Sequence, residues 1–199
     1  AAYTGLHAAA AHGDIALIKQ LVAAGANVNA TDAYRRTPMH VAAYQSHDEA
    51  VLALAEAGGD PNLLEADRYD IITIAAVADD TQMVRTAVKA GGSAANITSV
   101  YDGTALIAAA HEGNWESIDV LIKAGAPLDH VNNLGWTAMI EAVVLGDGGD
   151  WVRFDFYSVG SDLRIFAGTA PGNSSTIKSN QVVGVVTDSP MYMRVQRAG

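Results

Sequence analysis

The sequence contains no cysteine, which excludes a disulfide framework, thiol catalysis and thiolate metal sites. Basic residues are few, since 12 Lys and Arg stand against 22 Asp and Glu and give a formal charge of −10. Because this charge repels phosphate backbones, we expect no nucleic-acid partner. The longest apolar run, 71–78 with one threonine, is much shorter than the about 18 residues of a membrane-spanning helix, so we expect no membrane insertion.

The sequence also lacks the common catalytic and nucleotide-binding motifs. It contains neither G-x-S-x-G nor G-x-x-x-x-G-K-[ST], and no G-x-G-x-x-G between a strand and a helix. His111 and Glu112 begin an H-E-x-x-H pattern, but Trp115 stands where the second histidine is required. We therefore expect no enzymatic activity and no cofactor.

An internal repeat fills most of the chain. Similar tetrapeptides recur at spacings of 33, 33, 34 and 33 and begin at Thr4, Thr37, Asp70, Thr104 and Thr137. Ala-Gly-Ala or Ala-Gly-Gly triplets keep the same period, beginning at 24, 57, 90 and 124. The tetrapeptide of the second unit reads Thr-Pro-Met-His, and this motif with its period resembles the ankyrin repeat. The resemblance covers residues 1–149 and implies a mainly α fold, a solenoid of about four and a half repeats.

The pattern inside each unit independently predicts a pair of helices. In the second unit, apolar residues at helical spacing follow Met39 and again Ala50, and Gly58 ends the second run. A threonine or aspartate can cap the first helix, and the glycine supplies a left-handed stop after the second. Alanines on the first helices allow neighbouring units to pack closely, so stability is expected to come from stacking.

The repeat has two departures from its period. One extra residue lies within Ser93–Gly103, and the fifth unit offers one helix, at about 138–145, before the Gly-Asp-Gly-Gly run at 146–149. We therefore expect four repeats and a partial fifth, near 1–31, 32–64, 65–98, 99–131 and 132–149.

Residues 150–199 differ from the repeat region, which carries a formal charge of −11 against +1 for this segment. Alternating patterns predict a short antiparallel β segment of about four strands, near 151–157, 163–166, 181–186 and 191–197. Trp151–Arg164 and Met191–Arg197 are similar to strands of laminin-G-like and concanavalin-like β-sandwich modules. Because roughly 50 residues are about half of a small sandwich, we expect a partial module and a chimeric or fragmentary sequence.

The ankyrin resemblance implies that a partner binds the loop tips and the concave face made by the first helices. Tyrosine, tryptophan and arginine, which dominate interface hot spots, are frequent at these positions. The candidate residues at the tips are Tyr3, Tyr34, Arg36, Asp67, Tyr69, Tyr101, Leu134 and Trp136. Those at the ends of first helices are Tyr44, Gln45, His111 and Glu112. The alternative for each aromatic residue is simple packing on the adjacent loop.

His7 and His40 occupy the same position of the motif in neighbouring repeats. The next two repeats have Thr73 and Ile107 at that position. We expect these histidines to join adjacent loops by hydrogen bonds, because no third ligand continues the row and zinc takes three or four protein ligands. Two acidic pairs, Asp48–Glu49 and Asp79–Asp80, fall at predicted helix starts. Negative charge is favourable there, so helix capping explains these residues without acid–base chemistry. No metal site is expected.

Three functions are open from the sequence. The first is a non-catalytic scaffold that binds another protein, of unknown identity, through the ankyrin-like surface. The second is an extracellular carbohydrate-binding or adhesion module in residues 150–199. The third concerns the half-repeat, whose Met139 and Ala142 lack a second helix to cover them, so that the β segment or a homodimer covers this end. Similarity of Leu128–Thr137 to exported bacterial proteins favours a periplasmic or secreted origin.

Overall fold

The computed structural model describes residues 2–144 and the backbone of three strands, 150–159, 162–171 and 179–185. Within residues 2–144, two classes of helix alternate along the chain. The first helix of each repeat is α1 (Gly5–Ala11), α3 (Pro38–Tyr44), α5 (Ile71–Val77), α7 (Ala105–His111) and α9 (Ala138–Val144). The second helices are α2 (Ile15–Ala23), α4 (Asp48–Glu56), α6 (Thr81–Lys89) and α8 (Trp115–Lys123).

The helices form a two-layer solenoid. The first helices α1, α3, α5 and α7 each pack against the second helix of their own repeat, and neighbouring first helices from α1 to α9 pack against one another. The second helices form a parallel row of contacts. The predicted alanine packing is confirmed, since the first helices bury pairs of alanines at Ala9–Ala10, Ala42–Ala43, Ala75–Ala76 and Ala109–Ala110. Small side chains at these positions let the helix backbones approach, and larger residues such as Leu54 and Met83 fill the space between layers.

Side-chain caps begin the helices from α1 to α8 except α4, whose N-cap residue His47 makes no side-chain capping bond. Thr37 accepts a hydrogen bond from the backbone of His40, and Asp80 accepts one from the backbone of Met83. The acidic pairs are therefore structural, because Asp80 caps α6 and Asp48 lies in the first turn of α4. The glycine stop is also confirmed, since Gly58 after α4 has φ of 90°.

The two buried histidines bind successive loops together. The backbone N–H of Thr37 donates to Nδ1 of His40, so Nδ1 carries no proton and Nε2 donates to the carbonyl of Leu63 at 2.9 Å. His7 makes the equivalent pair of bonds and reaches the carbonyl of Arg36 at 2.8 Å. The expected structural role is confirmed, and burial lowers the pKa of His40 below its usual value despite these hydrogen bonds.

The loops between repeats are short hairpins, each closed by a backbone hydrogen bond. Asp32, Glu65 and Asn132 donate from their backbone N–H to the carbonyl four residues later, whereas Thr98 donates to that of Gly103, five residues later. The extra residue of the fourth repeat therefore lies within 99–102, at the loop tip. Two residues there, Ser99 and Asp102, take positive φ angles of 63° and 52°.

The three described strands form one antiparallel sheet in the order β1 (Asp150–Val159), β2 (Asp162–Pro171) and β3 (Ser179–Val185). The hairpin register pairs Trp151 with Ala170 and Val159 with Asp162. Three features of the sequence analysis lie outside the described residues. They are the fourth predicted strand at 191–197, the glycine run at 146–149, and the side chains on which the resemblance to β-sandwich modules rests. The glycan-binding alternative depends on those side chains.

The last described repeat leaves apolar surface uncovered. Met139 and Ile140 on α9 are 38% and 39% exposed. Covering of this end by the β segment or by a second copy of the chain stays a prediction. Along the described part of the chain, no helix is both long and apolar enough to cross a membrane.

Candidate functional site

The candidate residues lie on the face formed by the loop tips and the C-terminal ends of the first helices, which we call the groove face. One buried polar side chain positions each of three loop tips, those of the second, third and fifth repeats. In the fourth repeat, Oγ of Ser99 accepts from the backbone N–H of Tyr101 instead. Asp32 accepts from the backbone amides two and four residues later at 2.8 and 2.9 Å, and Glu65 and Asn132 make the same pair of bonds. These bonds fold each tip so that the residue two positions after the buried one is exposed, as at Tyr34, Asp67 and Leu134.

Neighbouring tips are joined by a backbone ladder. The N–H of Ala66 donates to the carbonyl of Tyr34, and that of Asn133 donates to the carbonyl of Tyr101, at 2.9 and 2.8 Å. Arg68 adds an ion pair of 2.8 Å with Asp102 on the next tip. The tips therefore form a continuous edge along the repeats, which holds their exposed side chains in register.

The second component of the groove face is the last residue of the first helices. Tyr44, Val77 and His111 end α3, α5 and α7, and each is exposed. Gln45 follows Tyr44 as the C-cap of α3 and is exposed, as is Glu112 at the end of α7.

The N-terminal half of the groove face is an aromatic and charged surface. The guanidinium carbon of Arg36 lies 5.0 Å from the ring centroid of Tyr34, a cation–π distance. The same guanidinium binds the carboxylate of Asp32 at 2.7 Å, so Arg36 is half-buried and serves the loop as well as the surface. Tyr3 lies against the ring of His7, with centroids 5.1 Å apart, as the packing alternative expects for this aromatic.

Two tyrosine hydroxyls on this face, those of Tyr44 and Tyr69, are partly buried near carboxylates. Burial, followed by the charges of Glu65 and Asp67, raises the pKa of Tyr44 to about 12, while Arg36 opposes the shift. Burial and the charges of Asp67 and Glu65 also raise the pKa of Tyr69. Burial is the largest cause of both shifts, and the neighbouring carboxylates add a negative field, which favours a positively charged ligand.

The C-terminal half contains a cavity of about 390 Å³, which lies within the usual size range of ligand sites, roughly 300–1,000 Å³. The structure brings six of the predicted residues together in its lining: Tyr69, Tyr101, His111, Glu112, Leu134 and Trp136. The rest of the wall combines apolar Val77, Ile107 and Ala108 from α5 and α7 with polar residues, namely Thr73, Thr98, Ser99, Thr104, Asn132 and Glu141.

Sequence reasoning missed one charged group in this cavity. Glu141 of α9 lines it and is only 5% exposed. Its Oε2 lies 3.2 Å from Nδ1 of His111, whose side chain is 54% exposed. The signal was available, because the corresponding residue of the earlier units is Ala8, Val41, Ile74 or Ala108, and only the fifth unit has a carboxylate there.

Asn96 has a structural role between repeats. Its side-chain Nδ2 donates to Oδ1 of Asn62 and Oδ2 of Asp70 at 2.9 Å, which ties it to both residues. Among the described residues, no group of three or more histidine or acidic side chains is arranged to hold a metal ion.

The family model for ankyrin repeats (3 copies) matches residues 2–65 and 71–154. The search of curated proteins finds no match for the chain. The matched ranges cover well over half of the 199 residues and include all of the helices α1 to α9. The protein therefore belongs to the ankyrin repeat family.

Proposed function

We propose that the protein is a non-catalytic scaffold that binds a partner protein through the groove face. Ankyrin repeats bind other proteins, which supports this class of function. The cavity and the exposed tips offer what an interface needs, a set of large anchors held by a rigid framework.

The observation that carries the proposal is the distribution of exposed large apolar side chains along one face. Those on the tips and helix ends are Tyr3, Tyr34, Tyr44, Val77, Val100, Tyr101 and Leu134. Scattered exposed apolar residues need no explanation, but a continuous row across successive repeats is typical of an interaction site. Tyrosine suits this role because its ring buries a large area while its hydroxyl can still form hydrogen bonds.

A triple variant tests the surface without disturbing the fold. Tyr34→Ser, Tyr101→Ser and Leu134→Ser remove three anchors that are 64%, 52% and 58% exposed. The matched control carries Leu17→Ser, Ile97→Ser and Val131→Ser, which remove exposed apolar residues at positions other than the groove face. Arg36 stays unchanged, because its removal would leave Asp32 buried without its ion pair.

Wild type, groove variant and control are each immobilised and exposed to extract of the source organism, and the retained proteins are quantified by mass spectrometry. The proposal expects a partner that wild type and control retain equally and that the groove variant loses at least tenfold. Equal retention by all three proteins would reject the groove face as the binding surface.

A further inference from the structure

The cavity in the C-terminal half of the groove face contains a buried carboxylate with incomplete charge compensation. Glu141 is 5% exposed, and burying a carboxylate is costly unless a cation pairs with it. Its described partner is His111, at 3.2 Å, and this contact is an ion pair only when the imidazole is protonated. An apolar residue would fill the same position at lower cost, as Ile74 does in the third repeat.

Among the described residues, the lining of the cavity supplies no other positive charge. Among the residues that line it in the described part of the chain, the charged groups are Glu112 and Glu141, with His111 as the one group able to become a cation. Lysine and arginine are absent from that lining. The imidazole of His111 is more than half exposed, so its ring can turn away from Glu141 without unpacking a helix.

Aromatic residues surround the same space. Tyr69, Tyr101 and Trp136 line the cavity together with Glu141. Aromatic rings attract a cation most strongly where water is excluded, and a carboxylate fixes its position through charged hydrogen bonds. The aliphatic stem of a long basic side chain would contact the apolar wall at Ile107.

From this arrangement we infer that the cavity binds a lysine or arginine side chain of the partner protein, with Glu141 as its counter-ion in place of His111. The inference rests on the proposed function and specifies the partner's chemistry. The partner presents a basic residue flanked by apolar ones, since the lining of the cavity includes exposed Val77 and Leu134. Glu112 adds a second negative charge at the entrance, where it is exposed.

A peptide-display selection provides the probe. Random linear peptides are selected on the full chain, and those that no longer bind the Tyr34→Ser, Tyr101→Ser, Leu134→Ser variant are kept as groove ligands. Their dissociation constants are then measured by fluorescence polarisation with wild type, with Glu141→Gln and with Glu116→Gln. Glu116 is exposed on α8 and gives the same change of charge away from the cavity.

The inference expects every groove ligand to contain lysine or arginine. Glu141→Gln weakens binding at least tenfold, whereas Glu116→Gln changes it less than twofold. Replacing the critical arginine of the peptide by citrulline, or its lysine by acetyl-lysine, also weakens binding to wild type at least tenfold. The same replacement weakens binding to Glu141→Gln less than threefold. This coupling identifies Glu141 as the group that recognises the charge.

The failures of the two proposals are distinguishable. Two results overturn the cation site and leave the proposed scaffold function standing. One is groove ligands without a basic residue. The other is a loss of affinity on citrulline replacement that is the same for wild type and Glu141→Gln. Comparing the original peptide with its citrulline form on wild type remains a valid test even if Glu141→Gln folds poorly, because this comparison uses the unaltered chain. Selected peptides that all bind the groove variant as well as wild type, or no selected peptide at all, overturn both proposals.

Discussion

The imidazole of His40 donates from Nε2 to the carbonyl oxygen of Leu63 at 2.9 Å and accepts from the backbone of Thr37 at 3.1 Å. The bond from Thr37 requires the neutral ring, because a protonated Nδ1 would face the N–H donor of Thr37 with a proton of its own. One histidine therefore both caps α3 and joins the second repeat to the third.

Acid should weaken this connection. Since the pKa of His40 is lowered in the folded chain, its contribution to stability is fully present above pH 6.5 and is lost as the pH falls below that value. We expect the free energy of unfolding to fall by up to about 1.4 kcal/mol per pH unit in that window because of this group.

Urea denaturation at several pH values between 7.5 and 5 measures this loss. His40→Gln keeps a capping side chain and should flatten the pH dependence, whereas His12→Gln, at an exposed position, should leave it unchanged. An unchanged slope in His40→Gln would assign the acid sensitivity to other groups.

The ion pair of Arg36 and Asp32 should matter for stability as well as for the surface. Asp32 is 3% exposed, and Nε and Nη2 of Arg36 bind its Oδ2 at 2.8 and 2.7 Å. Burial alone would raise the pKa of Asp32, but the hydrogen bonds from Arg36 and the loop backbone hold it below its usual value. Arg36→Ala should lower the free energy of unfolding at pH 7 by about 1–3 kcal/mol, because a buried acceptor loses its partner.

The penalty of Arg36→Ala should shrink in acid. A carboxyl group with a lowered folded-state pKa stabilises the fold above its unfolded pKa, and this contribution disappears as the pH falls through the folded value. Arg85→Ala on exposed α6 surface is the control. A penalty that stays constant from pH 7 to pH 3 would show that lost packing, rather than charge pairing, causes it.

Close packing at the end of α6 gives a steric prediction. A Cβ on Gly92 would lie 2.8 Å from Cδ1 of Ile72 and 2.9 Å from the carbonyl oxygen of Ala87. Gly92→Ala should therefore lower the free energy of unfolding by about 1–3 kcal/mol through overpacking.

Gly103→Ala is the matched control, because its Cβ would meet its nearest atom, Oγ of Ser99, at 3.5 Å, an ordinary contact. Its midpoint of thermal unfolding should stay near that of wild type, and that of Gly92→Ala should fall. Equal midpoints for the two variants would contradict the described approach of loop and helix.

Local rules were sufficient to predict the helices and their caps. The period of the motif placed Thr37 and Asp80 at helix starts, and the equivalence of His7 and His40 indicated a shared structural role. These features depend on residues a few positions apart or on exact repetition, which a single sequence displays directly.

Features that depend on contacts between repeats were harder to predict. The sequence identified six of the residues that line the cavity but not the role of Glu141, whose burial depends on packing among α5, α7 and α9. It also could not show that Arg36 is held by Asp32, because a surface arginine and a loop-stabilising arginine have the same local pattern. A comparison of equivalent positions across repeats, which isolates Glu141, would have found the first of these.

Hydrogen–deuterium exchange of the full chain, with and without its captured partner, tests the groove face most directly. The account predicts that the partner slows exchange at the loop tips, 66–69, 99–103 and 132–136, and leaves the second helices α2, α4, α6 and α8 unchanged. Slowed exchange confined to those second helices, with unchanged tips, would contradict it.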